Sequence, residues 1–161
     1  MKFVKYILVL AFIQFFTFAI NNPKEKINWL TIEAMQKEYS KNPKPILIDL
    51  YTNWCGWCKV MDKSTYGNDK VAAYINENYY AIKLDAETKE AISFNGKVYN
   101  FNPTYQSNDL AMYFTFGRRE FPTTVFLSYL DARPAPLSGY LKPKEIEAPL
   151  KFFGSKLDSR Q

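Results

Sequence analysis

Apolar residues change their period several times along this chain, and each change marks an element. In TIEAMQKEYSKN, Ile32, Met35 and Tyr39 recur at helical spacing, which predicts an amphipathic helix. PILIDLY, residues 45–51, is an apolar run entered through Pro45 and rich in β-formers, as a buried central strand requires. Asp49 is the one anomaly in it. CGWCKVMDKSTY predicts a helix starting near Cys55, and NDKVAAYINENY repeats the helical period behind Asn68, a good capping residue. YYAIKLD predicts another strand over 79–85.

Residues 86–120 are the least expected part. ISFNGKVYNF places Asn95-Gly96 between alternating apolar positions, the strongest short signal for a hairpin. SNDLAMYFTFG predicts a capped helix ending at Gly117, and FPTTVFLSYLD a strand introduced by Pro122. A short strand over Leu137–Tyr140 and a last helix from near Pro143, with Ile146, Leu150 and Phe153 on one side, complete the order. Helices alternating with strands predict an α/β sheet covered on both faces. With 161 residues, 47% of them hydrophobic, the chain can build one domain with a core of its own. The 17% aromatic content carries no function by itself, since such residues fill cores first.

The first twenty residues change the picture of location. Lys2 and Lys5 precede an uncharged apolar stretch from Tyr6 to Ile20, too short for the roughly 20 apolar residues of a membrane span. Thr17 and Ala19 offer the small side chains a signal peptidase accepts. The expectation is a signal peptide over 1–19, cleaved after Ala19, and an exported, periplasmic protein; an uncleaved membrane anchor is the alternative. No Cys follows the segment, which argues against lipid attachment. Residues 20–27 read as a polar linker and 154–161 as a polar, frayed tail. Without Lys2 and Lys5 the formal charge of +5 loses two units, leaving an ordinary soluble surface and no case for nucleic acid.

The candidate chemistry lies in WCGWCK. The chain has two cysteines, Cys55 and Cys58, at a strand-to-helix junction, and no histidine. At the first turn of a helix, Cys55 faces unpaired backbone N–H groups that favour its thiolate. Lowering a thiol from a pKa of about 8.5 to about 7 takes roughly 2 kcal/mol, near the limit of a helix terminus alone, so local help from the Cys58 side is required. Lys59 adds charge only if its chain folds back. Zinc would need four ligands and haem attachment a His at position 59, so neither a metal nor another cofactor is expected. The absence of His also excludes Cys-His and Ser-His hydrolysis. A redox-active dithiol and a structural disulfide stay open, although so short a loop stabilises weakly. Asp49 also has two readings, because a carboxylate in an apolar strand is costly unless paired or protonated: a functional buried acid, or a solvated strand-end residue.

ILIDLYTNWCGWCK resembles the active-site segment of the thioredoxin superfamily, in which an Asp on the central strand stands six residues before the nucleophilic Cys, as Asp49 stands before Cys55. The longer stretch through YYAIKLDAET is more similar to exported bacterial thioredoxin-like proteins with W-C-G-W-C-K than to cytosolic thioredoxin. The resemblance covers residues 28–153, is strong around the dithiol and good at FPTTVFL, and leaves an insertion over about 86–120. It implies a thioredoxin-like fold: a central mixed sheet flanked by helices, with an inserted hairpin and helix before the cis-proline strand. It also implies a thiol:disulfide oxidoreductase in which Cys55 attacks, Cys58 resolves, and Pro122 is a cis-proline facing them.

By the same resemblance, Phe121 pairs through its backbone with an extended substrate, Gly139 borders the groove, and Asp49, with Lys83 as ionic neighbour, takes the proton from Cys58. Phe121 departs from the family, which often has a β-branched residue there. Trp54 and Trp57 either shield the dithiol and contact substrate or simply pack the helix start. Gly56-Trp57 lacks the His of strongly oxidising relatives, which points to a reductase or isomerase. Expected partners are protein substrates with disulfides or thiols and a membrane-bound electron donor, with the chain a monomer. The rival from another class is a binding module that keeps a structural disulfide and uses the hairpin of residues 92–101 as its contact.

Overall fold

The structure, a computed structural model, describes residues 26–155. The segment read as a signal peptide, all but the last two linker residues, and the tail beyond Ser155 lie outside the described residues. Five strands form the main sheet in the order β1-β3-β2-β8-β9: β1 (Trp29–Leu30), β2 (Ile46–Tyr51), β3 (Tyr80–Asp85), β8 (Thr123–Leu127) and β9 (Ala135–Ser138). β1, β3 and β2 are parallel, and β8 and β9 run antiparallel to their neighbours, so the sheet is mixed. Helices cover both faces: α1 (Ile32–Tyr39), α2 (Gly56–Ser64), α3 (Asp69–Asn78), α4 (Asp109–Thr115) and α5 (Pro143–Gly154).

β2 is the central strand because its side chains are apolar to both sides. Ile46, Ile48 and Leu50 pack with Ile32 and Met35 of α1 and with Leu110 and Phe114 of α4. Leu47 packs with Met61 of α2, Val71 and Ile75 of α3, and Ile146 and Leu150 of α5. Alternation puts Asp49 on the same face as Leu47, beneath α2. Thr31 and Asn68 cap α1 and α3 by accepting backbone N–H bonds at the helix starts. The core reaches back to Ile27, inside the stretch read as linker.

The segment 86–120 holds more than the expected hairpin. β4 (Ile92–Phe94) and β5 (Lys97–Tyr99) pair across Asn95 and Gly96, both with positive φ as a two-residue turn of this kind requires. Ile92, Phe94 and Tyr99 of this hairpin belong to the core, and Gln36 of α1 grips the turn by accepting from Asn95 N at 2.7 Å. A second small ribbon, β6 (Phe101–Asn102) with β7 (Ser107–Asn108), leads into α4. Its pairing was not legible because each strand has two residues. Two boundaries also move. The strand expected over 137–140 is β9 over Ala135–Ser138, since an edge strand tolerates Pro136 and the chain turns away at Gly139, where φ is +97°. The helix expected to end at Gly117 ends at Thr115, because Phe116 already adopts the left-handed conformation that stops it.

Candidate active site

Strand register brings four chain segments to one edge of the sheet. Tyr51 pairs with Asp85 in the parallel β2–β3 ladder, so the chain leaves both strands at the same end. Leu50 lies opposite Thr123, which places Pro122 at that end too, and Thr123 lies opposite Ser138, which brings Gly139 beside it. The Gly139 N–H donates to the Pro122 carbonyl at 2.8 Å, and the Phe121–Pro122 bond is cis. The carboxyl ends of parallel strands are where open α/β sheets commonly hold their ligands.

Cys55 and Cys58 sit in this corner as a disulfide with Cα atoms 5.3 Å apart. Cys55 is the N-cap of α2, and its Sγ accepts the backbone N–H of Cys58 at 3.1 Å. That N–H is one of the donors a helix start leaves unpaired, so it faces whatever charge Cys55 carries. Both cysteines are buried, whereas Trp54 and Trp57 beside them are 66% and 62% exposed. Their rings meet other residues of the corner: Trp54 stands edge-on to Phe121 at 6.0 Å, and Trp57 stacks on Tyr140 at 5.6 Å. Tyr140 is held in turn by a 2.9 Å hydrogen bond between its hydroxyl and Ser64 Oγ.

Asp49 is 2% exposed, and Lys83, its register partner on β3, donates to Asp49 Oδ2 at 3.0 Å. Lys83 also pairs with Asp62 of α2, and its ammonium lies 5.4 Å and 5.1 Å from the ring centres of Trp29 and Tyr51. Burial raises the pKa of Asp49 from 3.8 to about 6; attraction and a hydrogen bond from Lys83 oppose this, and the Asp62 charge adds to it. Burial pulls Lys83 down, but the two carboxylates outweigh it and hold its pKa above the ordinary value. A groove of about 580 Å³, lined by Trp29, Asp62, Tyr66 and Lys83 among others, reaches the Lys83 side of this pair.

The corner therefore joins Cys55, Cys58, Trp54, Trp57, Phe121, Pro122 and Gly139, with Asp49 and Lys83 behind them on the face covered by α2. Sequence reasoning missed Asp62, Glu87, Arg119 and Tyr140. Asp62 carried a usable signal, since it stands four residues after Cys58 and so shares its helix face. Glu87 carried none. Its carboxylate accepts from Trp54 Nε1 at 3.1 Å and from Arg119 at 2.9 Å, contacts that span 33 and 32 residues.

Known proteins resemble this chain in sequence and in fold. Over 132 residues the chain is 31% identical to the uncharacterized protein B0495.5 of Caenorhabditis elegans, covering 82% of this chain. Over 98 residues, 60% of this chain, it is 28% identical to the thiol:disulfide interchange protein DsbD of Campylobacter jejuni. The matched region is 16% of the length of each of these relatives. The solution structure of a thioredoxin from Thermus thermophilus superposes with a TM-score of 0.60, covering 81% of this chain and 89% of that one; at 14% identity the likeness concerns the fold. The model of the family Thioredox_DsbH, described as a protein of unknown function, DUF255, matches residues 12–153, and with the thioredoxin-like sheet and its Cys55–Cys58 corner this chain belongs to that family.

Proposed function

We propose that this chain is a thiol:disulfide oxidoreductase that exchanges disulfides with protein substrates. The observation that carries the reading is the Cys55–Cys58 pair at the start of α2, with the Cys58 N–H aimed at Cys55 Sγ and a buried Asp49 under the same helix. DsbD, named for thiol:disulfide interchange, supports the same chemistry. In the reduced protein the Cys55 thiolate attacks one sulfur of a substrate disulfide, forming a mixed disulfide and releasing one substrate thiolate. Asp49 accepts the proton of Cys58, whose sulfur then attacks Cys55 Sγ. The second substrate thiolate leaves, the Cys55–Cys58 bond forms, and two electrons have passed to the substrate. Burial lifts the Asp49 pKa to about 6 and Lys83 holds it from rising further, so the carboxyl is ionised often enough near neutral pH to take that proton.

Reduction or isomerisation is the favoured direction, because no cationic group stands between the two cysteines to stabilise the thiolate form strongly. The apolar N-terminal segment favours work in an exported, periplasmic setting, where a reductase draws electrons from a membrane-bound donor. Trapping is the test. With insulin as the disulfide substrate, Cys58→Ser should accumulate a mixed disulfide visible on a non-reducing gel, and Cys55→Ser should form none. A wild-type protein that reduces insulin no faster than dithiothreitol alone, or a Cys55→Ser/Cys58→Ser variant that still accelerates the reduction, overturns the reading.

A further inference from the structure

Glu87 takes no part in the dithiol chemistry, yet it touches both sides of the corner where that chemistry happens. Its Oε2 accepts the indole N–H of Trp54 at 3.1 Å, and its Oε1 accepts from Arg119 Nη2 at 2.9 Å. Trp54 immediately precedes Cys55, and Arg119 stands three residues before Pro122. Arg119 also donates to the Gln106 carbonyl at 3.2 Å, inside the insertion, and Trp54 closes the circuit by its edge contact with Phe121. The base of the circuit is pinned as well. Glu87 N donates to Asp85 Oδ1 at 3.0 Å, Asn53 donates to Asp85 Oδ2 at 3.1 Å, and the Ala86 carbonyl accepts Asn108 N and Ser107 Oγ.

We propose that Glu87 is a positioning residue for substrate recognition: by gripping Trp54 with one oxygen and Arg119 with the other, it fixes the lip of the substrate groove between Cys55 and Pro122. The inference rests on the oxidoreductase reading and adds to it a determinant supplied by the two ends of the insertion, Glu87 and Arg119. The physical need is plain at Trp54. An indole 66% exposed has little packing to choose its rotamer, so the Glu87 bond and the Phe121 edge do the choosing. A groove whose wall is correctly placed only part of the time binds more weakly in proportion to that fraction. Loss of one hydrogen bond to a charged group is worth about a factor of ten in such a balance. The cost falls on binding, because Cys55, Cys58 and Asp49 keep their surroundings.

The experiment is insulin reduction at varied insulin concentration by wild type, Glu87→Ala, Glu87→Gln, Trp54→Ala and the Trp54→Ala/Glu87→Ala pair, with the Trp54 indole N–H followed by NMR. Glu87→Ala should raise KM about tenfold with kcat within about twofold, and should shift the indole resonance. Glu87→Gln keeps an oxygen for the indole but turns an NH2 towards Arg119, so it should return the resonance close to wild type and recover only part of the KM. Adding Glu87→Ala to Trp54→Ala should raise KM no further, since the carboxylate acts through the indole. KM unchanged in Glu87→Ala, multiplicative losses in the pair, or Glu87→Gln behaving as Glu87→Ala overturns the clamp while leaving the oxidoreductase standing. A wild type inactive on insulin overturns both.

Discussion

At the scale of single residues, Asp49 carries the sharpest conflict between stability and chemistry. Its folded pKa of about 6 lies above the ordinary 3.8, so the folded state holds this proton more tightly than the unfolded chain does. Stability therefore falls as pH rises from about 4 to about 6 and stays lower above that window, by about 3 kcal/mol at 1.36 kcal/mol per pH unit. Asp49→Asn should stabilise the oxidised protein by up to that amount at pH 8 and by almost nothing at pH 4, as read by denaturant unfolding at both pH values. Lys83 would keep Asp62 as a partner in the variant, which limits the offset. The same substitution should slow release of the mixed disulfide and remove an inflection near pH 6 from that step, followed by stopped-flow Trp fluorescence. A stability difference between wild type and Asp49→Asn that is the same at pH 4 and at pH 8 would contradict the burial argument.

Elements show where local chemistry suffices. Asn68 accepts from the N–H groups of Lys70 and Val71 and so starts α3, whose Val71, Ala72 and Ile75 fill the core beneath β2 and β3. Asn68→Ala should cost about 1 kcal/mol in unfolding free energy, with the m-value unchanged. α3 was legible because cap and apolar period agree, and β4–β5 because Asn95 and Gly96 accept the left-handed backbone a two-residue turn demands. β1 and the β6–β7 ribbon were not, because strands of two residues have no period to read. β9 was displaced by two residues, since prolines argue against a strand unless one already knows it lies at a sheet edge.

For the whole molecule, redox state and folding form one thermodynamic cycle. Whatever the fold adds to the stability of the disulfide over the dithiol appears both in the reduction potential and in the difference between the oxidised and reduced unfolding free energies, 30 mV for about 1.4 kcal/mol. A reductase should show a potential near about −270 mV and an oxidised form that resists denaturant better than the reduced one. Values of about −180 to −120 mV would assign isomerase or oxidase work, and one well below about −300 mV a structural cystine, which would end the enzyme reading. Titration in glutathione and dithiothreitol buffers, read by tryptophan fluorescence, measures the first quantity, and paired unfolding curves measure the second.

The sequence by itself determined the order of the main helices and strands and the place of the Cys55–Cys58 pair at a helix start. It also marked Asp49 as an anomaly requiring a partner, because caps, periods and C-x-x-C spacing are properties of neighbours along the chain. Its resemblance to the thioredoxin superfamily singled out Lys83, Pro122 and Gly139 as members of the same site. Only the tertiary structure decided that Lys83 is shared between Asp49 and Asp62, that Tyr140 stacks on Trp57, and that Glu87 joins Trp54 to Arg119. These contacts depend on the register of β2 against β3 and β8, and on where an insertion folds back onto the sheet. Register is set by packing across the core, so residues 21 to 83 positions apart meet without any local signal.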